Sequence, residues 1–84
     1  MTITLLYFAA IREIVGRAEE TLSLPPDLTT IGALAKHLEK TIPAVEGRLA
    51  AVRWAKNETF VPLDEPLEDG DVVALIPPVA GGSR

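Results

Sequence analysis

The sequence predicts an α+β domain of two layers, with one main helix packed on one face of a mixed sheet of about five strands. Three observations carry that prediction. Alternating or continuous runs of β-forming residues stand at both ends of the chain, at 2–8 and 72–76. One long segment between them, 30–41, has the apolar spacing of an amphipathic helix. The order strand, short helix, strand, long helix, then three strands sets a single helix against a sheet.

Thr2-Ile3-Thr4-Leu5-Leu6-Tyr7-Phe8 begins as an alternating strand. From Ala9 to Val15 the period lengthens, Phe8, Ile11 and Val15 share a helical face, and Gly16 stands where a left-handed residue closes a helix. Glu20 to Leu24 alternates again until Pro25-Pro26-Asp27 stops it. In the long helix Thr29 or Thr30 offers an N-cap hydroxyl. Ile31, Leu34, Ala35, Leu38 and Ile42 form its stripe, and Pro43 ends it. Gly32 weakens this helix by up to about 1 kcal/mol relative to alanine. Ala51 to Lys56 reads as a strand, Asn57-Glu58 as a turn and Thr59-Phe60-Val61 as the returning strand. Asp69-Gly70-Asp71 is a further turn into Val72-Val73-Ala74-Leu75-Ile76, whose unbroken apolar run predicts a central strand buried on both faces. The first and last strands have the strongest patterns and are expected side by side and parallel, since the connection between them is long enough.

Composition narrows the chemistry. Eighty-four residues, 48% of them hydrophobic, make one small domain with a single core. The absence of cysteine excludes disulfides and any thiolate, persulfide or thioester held on a side chain. A formal charge of −4 argues against nucleic acid, which needs a basic footprint. No apolar run is long enough for a membrane span and no signal-peptide pattern opens the chain, so a cytoplasmic protein is expected.

The chain closes on Pro77-Pro78-Val79-Ala80-Gly81-Gly82-Ser83-Arg84, and domain boundaries of 1–77 and 78–84 follow. Two prolines favour a stiff, extended lead-in, and two glycines let the backbone enter a narrow groove. The six residues Pro77 to Gly82, at about 3.3 Å each, reach roughly 20 Å. Elsewhere, His37 is expected to face solvent, and Arg12 to pair either with neighbours of Glu13 on the surface or with a partner carboxylate. Trp54 alternates with Val52 as core or a half-covered edge. Asp64, Glu65, Glu68, Asp69 and Asp71 read as a solvated acidic loop without the spacing of a calcium loop, and no metal site is expected.

Leu6 to Gly16, Asn57 with Val61, Pro66 to Ala74 and the ending Pro-Pro-Val-Ala-Gly-Gly are similar, in order and across the whole domain, to the small subunits of molybdopterin synthase. Those proteins are the sulfur-carrier branch of the ubiquitin-like β-grasp family. The resemblance implies a β-grasp fold with a flexible C-terminal tail, and a carrier that does not catalyse alone. It implies that Gly82 is adenylated by a partner resembling ubiquitin-activating enzymes, with ATP and magnesium used by that partner and no cofactor bound permanently. A sulfur donor then converts the adenylate to a thiocarboxylate. Gly81, Pro77 and Pro78 would thread the tail into the large synthase subunit, in an assembly of two small and two large subunits. Phe8, Phe60 and Ile76 match the family's hydrophobic docking positions, and a sheet covered by a helix on one side leaves such a face open. The departure is that Ser83 and Arg84 follow the second glycine, which is terminal in the family. A carrier for thiamine or another sulfur product, and a ubiquitin-like modifier or interaction module without sulfur chemistry, share the fold and stay open at this point.

Overall fold

The computed structural model describes residues 1–78. Its elements are β1 (Thr2–Tyr7), α1 (Ala9–Val15), β2 (Glu19–Ser23), α2 (Ile31–Thr41), a single 3₁₀ turn (Pro43–Val45), β3 (Arg53–Lys56), β4 (Thr59–Val61) and β5 (Val72–Ile76). The sheet order is β2-β1-β5-β3-β4, with β5 central, parallel to β1 and antiparallel to β3. Helix α2 covers one face, as the sequence predicts.

Period-2 alternation decides the core. Ile3, Leu5 and Tyr7 of β1, Val73 and Leu75 of β5 and Trp54 of β3 are all buried on the helix side, together with Ile31, Leu34 and Leu38 of α2. Thr30 caps α2: its Oγ1 accepts from the Ala33 N–H at 3.1 Å. The α2 N-terminus is tied further to the loop beyond β4, where the Gly32 N–H donates to the Leu63 carbonyl at 2.7 Å. A Cβ on Gly32 would lie 3.2 Å from that carbonyl oxygen, so the glycine is kept for close approach at the cost of helix propensity. Gly16 closes α1 at φ +88, donating its N–H to the Arg12 carbonyl at 2.8 Å. Tyr7 donates its hydroxyl to Glu20 Oε1 at 3.2 Å, and burial first, then the Glu20 carboxylate, push the phenol well above its ordinary value.

Five expectations need correction. Strand β5 is buried on one face only: Val73 and Leu75 are covered, whereas Val72 is 37% exposed and Ala74 and Ile76 are half-buried. Among the described residues a single helical layer exists, so nothing covers the second face. Phe8 does not share the buried face of α1. It is the N-cap, still extended at φ −121 and ψ 153, so it continues the alternation of β1 outward while Ile11 alone of the helix is buried. Strand β3 starts at Arg53 rather than residue 51, because the Val52 N–H closes a turn onto the Leu49 carbonyl at 3.2 Å. The acidic segment is not one solvated cluster. Asp71 is buried, its carboxylate accepting from Asn57 Nδ2 at 3.0 Å and the Glu68 N–H at 2.7 Å. Asp69 accepts the Thr2 N–H at 2.6 Å, and Glu65 pairs with Lys56 at 2.7 Å. His37, expected in solvent, is half-buried.

The β3–β4 hairpin turns on Asn57 and Glu58, both left-handed at φ 51 and 73. Two consecutive positive φ values are the backbone of a type I′ turn, whose twist suits the flanking strands. Asn57 tolerates the conformation and its Oδ1 accepts the Val72 N–H at 2.9 Å. Glu58 has no such compensation. Glu58→Gly is therefore expected to raise the free energy of unfolding by about 1 kcal/mol in urea titration; a loss of stability would contradict this turn assignment.

Candidate docking face and tail origin

The open face of the sheet is built by register. Leu6 of β1 stands opposite Ala74 of β5, Ala74 opposite Ala55 of β3, and Ala55 opposite Phe60 of β4. Two alanines between larger side chains leave a trough across the sheet. Its volume is about 600 Å³, and Phe8, Phe60 and Ile76 all line it together with Leu6, Val72 and Ala74. The structure thus brings together the three docking residues expected from the sequence. Phe8 is 44% and Phe60 52% exposed, which is unusual for two phenylalanines on one face of a small domain.

Each is aimed by its backbone. Phe8 keeps strand geometry, then Ala9 takes φ +48 and the chain bends into α1, where the Ile11 and Arg12 N–H groups donate to the Phe8 carbonyl at 3.1 and 3.2 Å. A left-handed alanine costs about 1–2 kcal/mol, so strain is stored beside an exposed aromatic. Phe60 stands on edge strand β4, with the Arg53 guanidinium carbon 3.8 Å from its ring centroid. Ile76 is the last residue of β5 and lies opposite Arg53. Pro77, which has no N–H to give a ladder, follows at once and is half-buried; Pro78 is exposed. The chain therefore leaves the sheet at the rim of the trough. Gly81 and Gly82, the expected reacting tip, lie outside the described residues.

A larger groove of about 950 Å³ runs between α2 and the 49–54 segment, past Leu63. Phe60 and Arg53 line this groove too, but only the trough gathers both exposed phenylalanines and adjoins Ile76, where the tail begins. Arg12 is exposed and Trp54 is buried in the core. Sequence reading missed Leu6, Val72 and Ala74 as trough residues, and Arg53 altogether. The signal for the first three was parity, since each alternates with a residue assigned to the core.

The ThiS family pattern matches residues 5–82. The molybdopterin synthase sulfur carrier subunit of Escherichia coli (strain K12) is 39% identical over 85 residues, covering 95% of this chain and 99% of that relative. SAMP1, a small archaeal modifier protein of Haloferax volcanii, superposes with a TM-score of 0.84 at 27% identity, over 98% of this chain and 100% of that one. A chain of the protein–protein complex of subunits 1 and 2 of molybdopterin-converting factor from Helicobacter pylori 26695 superposes with a TM-score of 0.71 at 25% identity, over 98% of this chain and 100% of that one. The fold is accordingly the ubiquitin-like β-grasp.

Proposed function

The chain belongs to the ThiS family, and on that premise we propose that it is the sulfur carrier subunit of a molybdopterin synthase, serving molybdenum cofactor biosynthesis. The observation that carries this reading is the trough of Phe8, Phe60 and Ile76 at the very point where the Pro77-Pro78 tail leaves the sheet. Full-length similarity to the Escherichia coli carrier subunit supports it. The partner is a large synthase subunit, by analogy with the complex of subunits 1 and 2 from Helicobacter pylori, and the family resemblance adds the proposal of two small and two large subunits. No described helix is long and apolar enough to cross a membrane, and we place the protein in the cytoplasm.

The chemistry resides in the tail. A carboxylate is a poor electrophile, so an activating enzyme resembling those of ubiquitin joins the Gly82 carboxylate to the α-phosphorus of ATP, with magnesium, and releases pyrophosphate. A sulfur nucleophile attacks the acyl carbon, AMP leaves with the electron pair of the broken bond, and a thiocarboxylate results. Within the large subunit that sulfur passes to the pterin precursor. This chain supplies a docking face, a stiff lead-in at Pro77-Pro78 and a side-chain-free tip at Gly81-Gly82, which lower the entropy and steric cost of entry.

The likeness to SAMP1 favours a second reading, a protein modifier whose glycine forms an amide with a lysine. Intact mass after incubation with activating enzyme, ATP and a sulfur source separates the two. Exchange of one oxygen for sulfur marks the carrier, and a stable conjugate marks the modifier. The docking face has its own test. Phe60→Ala is expected to weaken binding to the large subunit by about 2 kcal/mol or more, as for a packed aromatic anchor, while thermal unfolding stays nearly unchanged. Unchanged affinity by calorimetric titration would remove Phe60 from the interface.

A further inference from the structure

One cation stands beside the trough, in the wall of the larger groove where the two meet at Phe60. Arg53 lies on the open face, opposite Ile76 and diagonal to Phe60, so it stands between two of the docking residues. Its guanidinium carbon is 3.8 Å from the Phe60 ring centroid, well inside cation–π range. Like Arg12, Lys36, Lys40 and Arg48, it has no ion-pair partner among the described residues, but it alone of these lies on the open face against an exposed ring. Arg17 pairs with Glu20 and Lys56 with Glu65, whereas no carboxylate among the described residues lies within ion-pair distance of Arg53. No side-chain hydrogen bond from Arg53 to a described acceptor offsets this.

We infer that Arg53 is a specificity-determining residue of the docking face, and that the partner meets it with an aspartate or glutamate carboxylate. The inference rests on the reading of the trough as the synthase interface. A guanidinium carries five N–H donors and keeps its charge at any physiological pH. Docking over Phe60 takes water from a group held against that ring, and an unpaired buried charge is strongly unfavourable. The ring satisfies one face of the guanidinium plane but accepts none of its in-plane donors. Only an anionic acceptor on the partner does so, and a carboxylate can accept two of those donors at once. In a chain with a net charge of −4, this cation on the open face fixes where an acid must stand opposite an apolar patch. The Phe60 ring in turn limits the positions open to the guanidinium, so the recognition is directional.

The test is calorimetric titration of the full chain and its Arg53→Ala, Arg53→Lys and Arg53→Glu variants with the large synthase subunit of the same organism, at low and high salt. Arg53→Ala is expected to weaken binding about tenfold. Arg53→Lys recovers only part of the loss, because an ammonium cannot make the bidentate contact, and Arg53→Glu binds more weakly than Arg53→Ala. Between ionic strengths of about 0.01 and 1 M the original chain loses more affinity than Arg53→Ala does, which a merely structural role for Arg53 would not produce. Binding by the original chain with Arg53→Ala and Arg53→Glu unchanged overturns this inference and leaves the synthase reading standing. Failure of the original chain to bind overturns both.

Discussion

Leu34→Ala is expected to lower the free energy of unfolding by about 2–5 kcal/mol, the range for deleting a fully buried leucine side chain. Leu34 sits in the second turn of α2 with no exposed surface, between Ile31 and Leu38, which are equally covered. All three belong to the cluster that includes Leu5, Val73 and Leu75 on the helix-facing side of the sheet. The site collapses poorly because α2 is pinned at its start. The Thr30 cap and the bond from the Gly32 N–H to the Leu63 carbonyl resist the shift that would refill a cavity. A domain of this size has only about 5–15 kcal/mol in total, so the variant is left marginal at 37 °C. Urea titration checks this. An unchanged slope with a lower midpoint is expected, and a loss under about 1 kcal/mol would show that α2 does not pack on the sheet as described.

What the sequence disclosed follows from the range of the forces involved. Thr30, Gly16, Pro43 and the 31-34-38 stripe act locally, and each element they define was legible, to within one or two residues at its ends. The central place of β5 and its parallel pairing with β1 were legible too, because the strongest β patterns belong where most ladder partners are. The second face of β5 was not. Val72, Ala74 and Ile76 are as apolar as a core requires, and only the count of covering layers shows that they line an open trough instead. An apolar run reports what a strand must eventually bury, not whether its own chain buries it. Phe8 misled for a related reason: helical spacing put it with Ile11, whereas its backbone is still extended. Asp71 looked like one more acidic loop residue because, beside the local Glu68 amide, its other donor, Asn57, stands in the β3–β4 turn and meets it only in the folded sheet. Arg53 gave no local signal, since its meaning depends on a ring across the β3–β4 ladder.

The tail separates fold from function. The described elements end at Ile76, and Leu34 and Trp54 belong to the buried core. Gly82 is expected to carry the reaction through its own acyl carbon, which requires a free carboxylate. In any chain where Ser83 follows, that carbonyl is held in an amide and cannot displace pyrophosphate from ATP. On the proposed function, Arg84 would in addition add a bulky cation to a tip expected to enter a partner's pocket. Hydrolysis after Gly82, or synthesis of a chain that stops there, is expected to expose the reacting group.

The most direct measurement is therefore ATP-dependent adenylation and sulfur loading of two chains, one ending at Gly82 and one at Arg84, each followed by intact mass. The chain ending at Gly82 is expected to exchange one oxygen for sulfur in the presence of activating enzyme, ATP, magnesium and sulfur donor. The chain ending at Arg84 is expected to stay unmodified until it is cut. Equal loading of an uncut chain ending at Arg84 would contradict the assignment of Gly82 as the reacting terminus.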